Sequence, residues 1–350
     1  MSMKAESIQI AESVFANPSA FLLLEEPQSY QNMTIIPIII QEDKLIDFIT
    51  LREAEELELI EVLETNSVNQ LEVVNKSNKQ LLIPFGTTVR GGKQDRTIWE
   101  PILLPPSETH KVFNTRSSPA SSTNTFTVPS KCIEQSRWHL NESPKFKSTN
   151  QRLHPNVAFE AMSSTGQGAV WNEIQSHRDE MNYNGDIAPT QSYLDMTKNS
   201  QKETEEIVSN FRTIENQCGI ICFVNKEFIG IEFYANMTAW NSMNEDILNA
   251  FAIEALRFKN KPMKEGEIDF FGTFQKTMKS IKMELSVRKG VGLGDVVEFN
   301  SNNNEKWRGI TLIHEKKAVQ FYLVSKRGGS TPNRTPQVQQ FRNKINNQIL

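Results

Sequence analysis

The chain has 350 residues, 38% of them hydrophobic and 23% charged, with a net charge of -4 and a pI near 5.9. That length permits one large domain or two ordinary ones around a substantial core, and the acidic balance argues against a global attraction to nucleic acid, leaving only a local basic patch open. Three cysteines, Cys132, Cys218 and Cys222, are too few and too unevenly placed for a disulfide framework, which points to a reducing, cytoplasmic compartment.

The first residues hold only the short apolar run Ala20 to Leu24, too short for a signal or a membrane-spanning segment. Lys4 to Ala16 has Ile8, Ile10, Val14 and Phe15 at roughly helical spacing, so residues 1–32 read as an arm or a packed helix. The domain proper is expected over 33–326, β-rich to residue 140 and helix-rich beyond it. It opens with the β-branched run MTIIPIII and a helix over Leu51 to Glu64, where the acidic residues come early, as the helix dipole favours.

Residues 70 to 130 read as strands punctuated by turns, with a hairpin around Asn75 to Asn78 and a polar loop over Ser117 to Asn124. Helical patterns follow over Asn156 to Met181, broken near Gly166 and Gly168, and from Pro189 to Phe211. GIICFVNKEFIGIEFY is a hairpin turning at Asn225-Lys226, and helices are expected near Glu245 to Phe258 and Ile268 to Ile281. Two closing strands, DVVEF and RGITLIHEKKAVQFYLVS, contain a hairpin at Glu315 to Lys317. The polar segment 327–350 is expected to be a disordered tail. The fold class is therefore α+β.

Two segments concentrate chemistry. RGGKQDR, Arg90 to Arg96, places two glycines and three cations in seven residues of a strand-like run. Gly91 and Gly92 permit close backbone approach, while Lys93, Gln94 and Arg96 suit phosphate or carboxylate oxygens. A bulge with solvated charges is the plain alternative. KCIEQSRWHL, Lys131 to Leu140, supplies Cys132, Glu134, Arg137 and Trp138. On a strand, Cys132 and Glu134 share one face, so Cys132 is either a nucleophile or a small buried hydrophobe, and Arg137 with Trp138 either stacks on a base or packs.

Other signals fail their context tests. GVGLG, Gly290 to Gly294, is followed by a β-type run, whereas a dinucleotide turn needs a preceding strand and a following helix, so it reads as a loop between a helix and a strand. Cys218 and Cys222 read as core cysteines on a buried strand. The five histidines make no metal-ligand spacing and no GxSxG elbow is present.

The string LLIPFGTTVRGGKQDRTIWEPILLPPSETHKV followed by VPSKCIEQSRW resembles the ARG and rhodanese-phosphatase-superfamily-associated protein (ARPP) domain. The matching positions are Gly86, Gly91 or Gly92, Lys93, Gln94, Arg96, Cys132, Glu134, Arg137 and Trp138. The chain departs from the family pattern at Asp95, where Asn is common, at Ser136, where Gly is usual, and in the SSPASSTN insertion. The resemblance spans roughly residues 40 to 325. It implies association with ADP-ribosylglycohydrolases and phosphatase-like proteins, and hence a nucleotide, ADP-ribose or phosphorylated ligand.

Two functions follow from these residues. In one, Gly91, Gly92, Lys93, Gln94, Arg96, Arg137 and Trp138 bind a small anionic ligand, with Glu134 as a general base; a thiol activity of Cys132 is a variant of it. In the other, the same residues form a buried polar network in a structural or protein-interaction module, Arg137 bonding Glu134 and Arg96 bonding Asp95 or backbone carbonyls. No metal site, membrane segment or specific cofactor is indicated.

Overall fold

A computed structural model describes residues 3–40, 45–65, 67–107, 124–137, 143–162, 166–181, 183, 191–263, 265–301 and 306–327. The Ser117 loop apart from Asn124, Pro189 and the tail from Gly328 onward lie outside these residues. The architecture is α+β, with one large antiparallel sheet and a small barrel. No helix among the described residues is long and apolar enough to cross a membrane.

Helix α1 (Met3–Ala16) leads into strands β1 (Leu22–Leu24) and β2 (Gln28–Tyr30), which both pair with β3 (Met33–Ile40). Strand β3 then pairs with β13 (Gln217–Val224), followed in the sheet by β14 (Glu227–Tyr234), β18 (Lys317–Ser325), β17 (Trp307–His314), β16 (Asp295–Ser301) and β15 (Met283–Lys289). The middle of the sheet is covered on both faces, which is why β3, β13, β14 and β18 are buried almost throughout. Ile36, Ile38, Ile221 and Phe223 pack with α1 residues Ala11 and Val14 on one face. Met33, Ile35, Ile220 and Val224 pack on the other with Trp240, Ile247 and Phe251 of the long helix Met237–Arg257. The β13–β14 and β17–β18 turns hold Asn225-Lys226 and Glu315-Lys316, all four at positive φ, as the tight two-residue hairpin requires.

The helix expected over Leu51 to Glu64 is only its first half. Helix α2 (Leu51–Glu56) starts on a capping box between Thr50 and Glu53 and ends at Glu58, which adopts a φ of 56° while Leu59 N–H bonds back to the Ala54 carbonyl at 2.7 Å. Ile60–Glu64 is instead strand β5, whose Ile60 and Val62 face a barrel interior. Strand pairing outweighs the helix preference of the glutamates, because only the strand buries both aliphatic residues.

The barrel closes in the order β11 (Thr125–Cys132), β6 (Gln70–Asn75), β5, β12 (Lys145–Arg152), β8 (Thr87–Gly91) and β9 (Arg96–Ile98). The hairpin expected around Asn75 to Asn78 does not form. After β6 the chain leaves the barrel for β7 (Leu81–Ile83), which pairs with β10 (Ile102–Leu104) and β4 (Ile49–Thr50). Alternation along this small sheet makes it a shared wall. Leu81, Ile83, Ile102 and Leu104 join the barrel core, while Leu82 and Leu103 join the core under the large sheet.

The remaining helices are α3 (Pro155–Ala161), α4 (Gln167–Glu180), α5 (Tyr193–Lys198), α6 (Gln201–Val208), α7 (Met237–Arg257) and α8 (Phe270–Ser280). The segment expected as one helix to Phe211 is thus two short ones in its described part, and the helix expected near Glu245 starts earlier, capped by the Asn236 side chain. GVGLG connects β15 to β16, two strands, rather than a helix to a strand. Leu293 N–H bonds to the Leu103 carbonyl at 2.7 Å, so this loop docks the sheet edge on β10.

Candidate functional site

Strand β9 pairs with β11 in the register Arg96↔Cys132, which sets the turn 92–95 beside the segment 133–137. The two sequence segments therefore meet. Their glycines serve the fold first. Gly91 has a φ of 144°, and a Cβ there lies 2.2 Å from the Lys145 carbonyl oxygen. At Gly92, with φ at 45°, a Cβ lies 2.3 Å from the Phe146 ring. The close approach is made by β12. Gly91→Ala is expected to cost about 2 kcal/mol or more in urea denaturation, through overpacking against backbone and a strained φ; a loss below about 0.5 kcal/mol would remove this reading.

Arg137 is the hub. Its Nε donates to Glu134 Oε2 at 2.9 Å, one terminal nitrogen donates to the Gly92 carbonyl at 2.8 Å, and the other reaches the Gly91 carbonyl at 3.2 Å and Asp95 Oδ1 at 3.3 Å. Glu134 Oε2 also accepts the Asp95 N–H at 2.9 Å. Gln94, with no exposed surface, donates to the Glu134 carbonyl at 2.7 Å and accepts the Cys132 thiol at 3.0 Å. Arg96, also buried, donates to the carbonyls of Ser67 and Val68 and pairs with Glu64 at 3.2 Å. Glu64 in turn accepts the Lys93 N–H at 3.1 Å.

Burial together with the Glu134 charge pushes the Asp95 carboxyl up from its ordinary range, against the pull of Arg90 and Arg137. Burial also pushes the Cys132 thiol up to about 11. A nucleophilic thiol needs the opposite shift and solvent access, and Cys132 has 0% exposure. Glu134 is buried beneath Arg137, and β11 ends at Cys132, so strand alternation does not extend to it; a bridge to Ser192 holds it instead. Trp138 and His139 lie outside the described residues.

Sequence reasoning missed the partners that come from far along the chain. Ser192 Oγ donates to Asp95 Oδ2 at 3.2 Å, and Gln167 brackets Cys132, accepting from its N–H at 2.8 Å and donating to its carbonyl at 2.6 Å. Arg90 bridges Asp95 at 3.1 Å and Asp195 of α5 at 2.7 Å. No local pattern announces such contacts, because nothing near Arg90 specifies which helix will lie over it.

Arg90, 37% exposed, marks where this network meets solvent. It borders a cleft of about 340 Å³ between the barrel strands, α5, α6 and α7. Gln151, Thr197, Lys198 and Asn249 also line it, and its charges balance, Arg90, Arg152 and Lys198 against Glu205, Glu245 and Asp246. Behind it Arg152 donates to Glu232 and to the Phe85 carbonyl, both at 2.6 Å, tying the barrel to the large sheet. Asn249 Oδ1 is a buried acceptor with no partner among the described residues. Among the described residues no group of histidine, cysteine, aspartate and glutamate is placed to hold a metal ion.

No curated protein and no solved structure matches the chain. The model of one family does, over residues 22–115 and 118–324, and so takes in both motif segments and the cleft. The chain belongs to the ARPP-1 family, the ARG and Rhodanese-Phosphatase-superfamily-associated Protein domain.

Proposed function

We propose that this ARPP-1 protein is a binding module whose motif residues form the supporting wall of a cleft, and that the cleft takes a small hydroxyl-rich ligand of the ribose type. The observation that carries the reading is Asn249, a residue that lines the cleft and whose buried Oδ1 has no hydrogen-bond donor among the described residues. A buried acceptor left unpaired costs about 1–3 kcal/mol, and a ligand hydroxyl would remove that cost. Thr197, Gln151 and Arg90 add polar groups around it, a small set of directional groups of the kind that orients a ligand in a concave site.

A phosphate held directly by Arg96 and Arg137 has less support, because both guanidinium groups are buried and engaged by carboxylates and carbonyls of the chain itself. The same engagement favours a second reading, a purely structural or protein-interaction module with nothing bound in the cleft. Calorimetric titration with ribose, adenosine and ADP-ribose separates the two. The expected result is saturable binding of at least one of them, weakened about tenfold in Asn249→Ala, whose unliganded melting temperature stays level or rises. No binding of any of the three at millimolar concentration would leave the structural reading standing.

A further inference from the structure

A second and larger cleft of about 750 Å³ opens between the β13–β14 turn, α8 and the ends of β17 and β18. Its charge is one-sided. Lys226, Lys261, Lys282, Lys306, Lys326 and Arg327 line it, and Glu227 is the one acidic residue among the described lining. Three of these cations have no acceptor among the described residues: Lys261, Lys282 and Lys306 are exposed and make no side-chain bond or ion pair there.

The others are fixed in place. Lys226 Nζ donates to the Gly266 carbonyl at 2.6 Å, and Lys326 Nζ bonds Glu160 at 2.5 Å. Arg327 spends one terminal nitrogen on Glu227 at 2.9 Å and stacks its guanidinium 4.4 Å over the Phe258 ring. Its second terminal nitrogen is buried and has no partner among the described residues, a donor already stripped of water. Desolvated guanidinium donors bind phosphate oxygens strongly, and unpaired lysines around them raise the local concentration of anions.

We infer that this cleft binds a small polyanion carrying two or more linked phosphate groups. Like charges gathered without counter-charges repel one another, and a multivalent anion removes that repulsion at several points at once. A single phosphate reaches fewer of them. The volume suits a ligand of nucleotide size rather than a free ion.

The test is calorimetric titration of the full chain with tripolyphosphate, pyrophosphate and orthophosphate at about 0.15 M salt, where surface charges are screened beyond roughly 8 Å. The expected order of affinity is tripolyphosphate, then pyrophosphate, then orthophosphate, with at least tenfold between first and last. The triple variant Lys261→Ala, Lys282→Ala, Lys306→Ala should lose at least tenfold for tripolyphosphate while melting at the wild-type temperature, since these side chains hold no described residue. Arg327→Gln should weaken binding too, and the triple variant decides the matter if Arg327→Gln fails to fold. The proposal is overturned by no binding at millimolar tripolyphosphate, by unchanged affinity in the triple variant, or by a single-stranded oligonucleotide binding far more tightly than tripolyphosphate, which would make the cleft a nucleic-acid surface.

Discussion

Arg137→Ala is expected to cost about 3–5 kcal/mol of folding stability, the loss typical when one partner of a buried ion pair is removed. The carboxylate of Glu134, 3% exposed with Arg137 in place, would lose its charge partner and keep, among the described residues, the Asp95 N–H to accept from, and the carbonyls of Gly91 and Gly92 would lose the Arg137 donors. Urea denaturation measures it as a lower midpoint at unchanged slope. Arg137→Ala combined with Glu134→Gln should recover part of the loss, because the second change removes the stranded charge. A loss below about 1 kcal/mol, with no recovery in the double variant, would mean that Arg137 is not the hub. Arg96→Ala should behave alike, leaving Glu64 unpaired in the barrel wall.

The second large effect is acid sensitivity set by a buried relay that no motif contains. Glu254 Oε1 accepts from His154 Nδ1 at 2.7 Å, and His154 Nε2 meets His177 Nδ1 at 2.6 Å, both rings being buried between α3, α4 and α7. A carboxylate only accepts, so His154 Nδ1 carries the proton. Burial, then the His154 and Arg257 charges, holds His177 well below its ordinary range. The unfolded chain protonates there below a pH of about 6.5 while the native chain resists, so stability is full above that pH and falls beneath it.

Glu254 extends the fall. Burial raises its pKa, but Arg257 and His154 outweigh burial and hold the carboxyl at about 2, so its contribution is present above the usual carboxylate range and is lost as pH drops towards that value. Asp95, Glu232 and Asp246, pushed up by burial, act in the opposite sense. The difference between wild type and His177→Gln isolates the imidazole. Between pH 7 and 5 the wild type should lose stability relative to the variant with a slope approaching about 1.4 kcal/mol per pH unit. Parallel curves would show that His177 does not govern it.

Much of the architecture was written in local chemistry. The two hairpin turns, the broken helix around Gly166 and the apolar runs of β3 and β13 follow from turn residues, glycine and periodicity, which act within a few positions. The same holds for the ARPP resemblance, since its two segments are contiguous strings. Where local preference met a stronger tertiary demand, it failed: Ile60–Glu64 became a strand to fill the barrel, and the chain after Asn75 crossed to another sheet instead of turning back.

The role of the motif residues lay beyond local reading altogether. Arg90, Lys93, Arg96 and Arg137 look like free cations in a string, and their charge pattern is the same whether a ligand or the protein supplies the counter-charge. Tertiary structure brought Glu64, Glu134, Asp195 and a set of backbone carbonyls to Arg90, Arg96 and Arg137, and it opened the clefts elsewhere, at Asn249 and at Arg327. Residue type and spacing determined which groups could pair, but the register of β9 on β11 and the docking of α5 decided which of them did, because an ion pair is set by distance in space and not by separation along the chain.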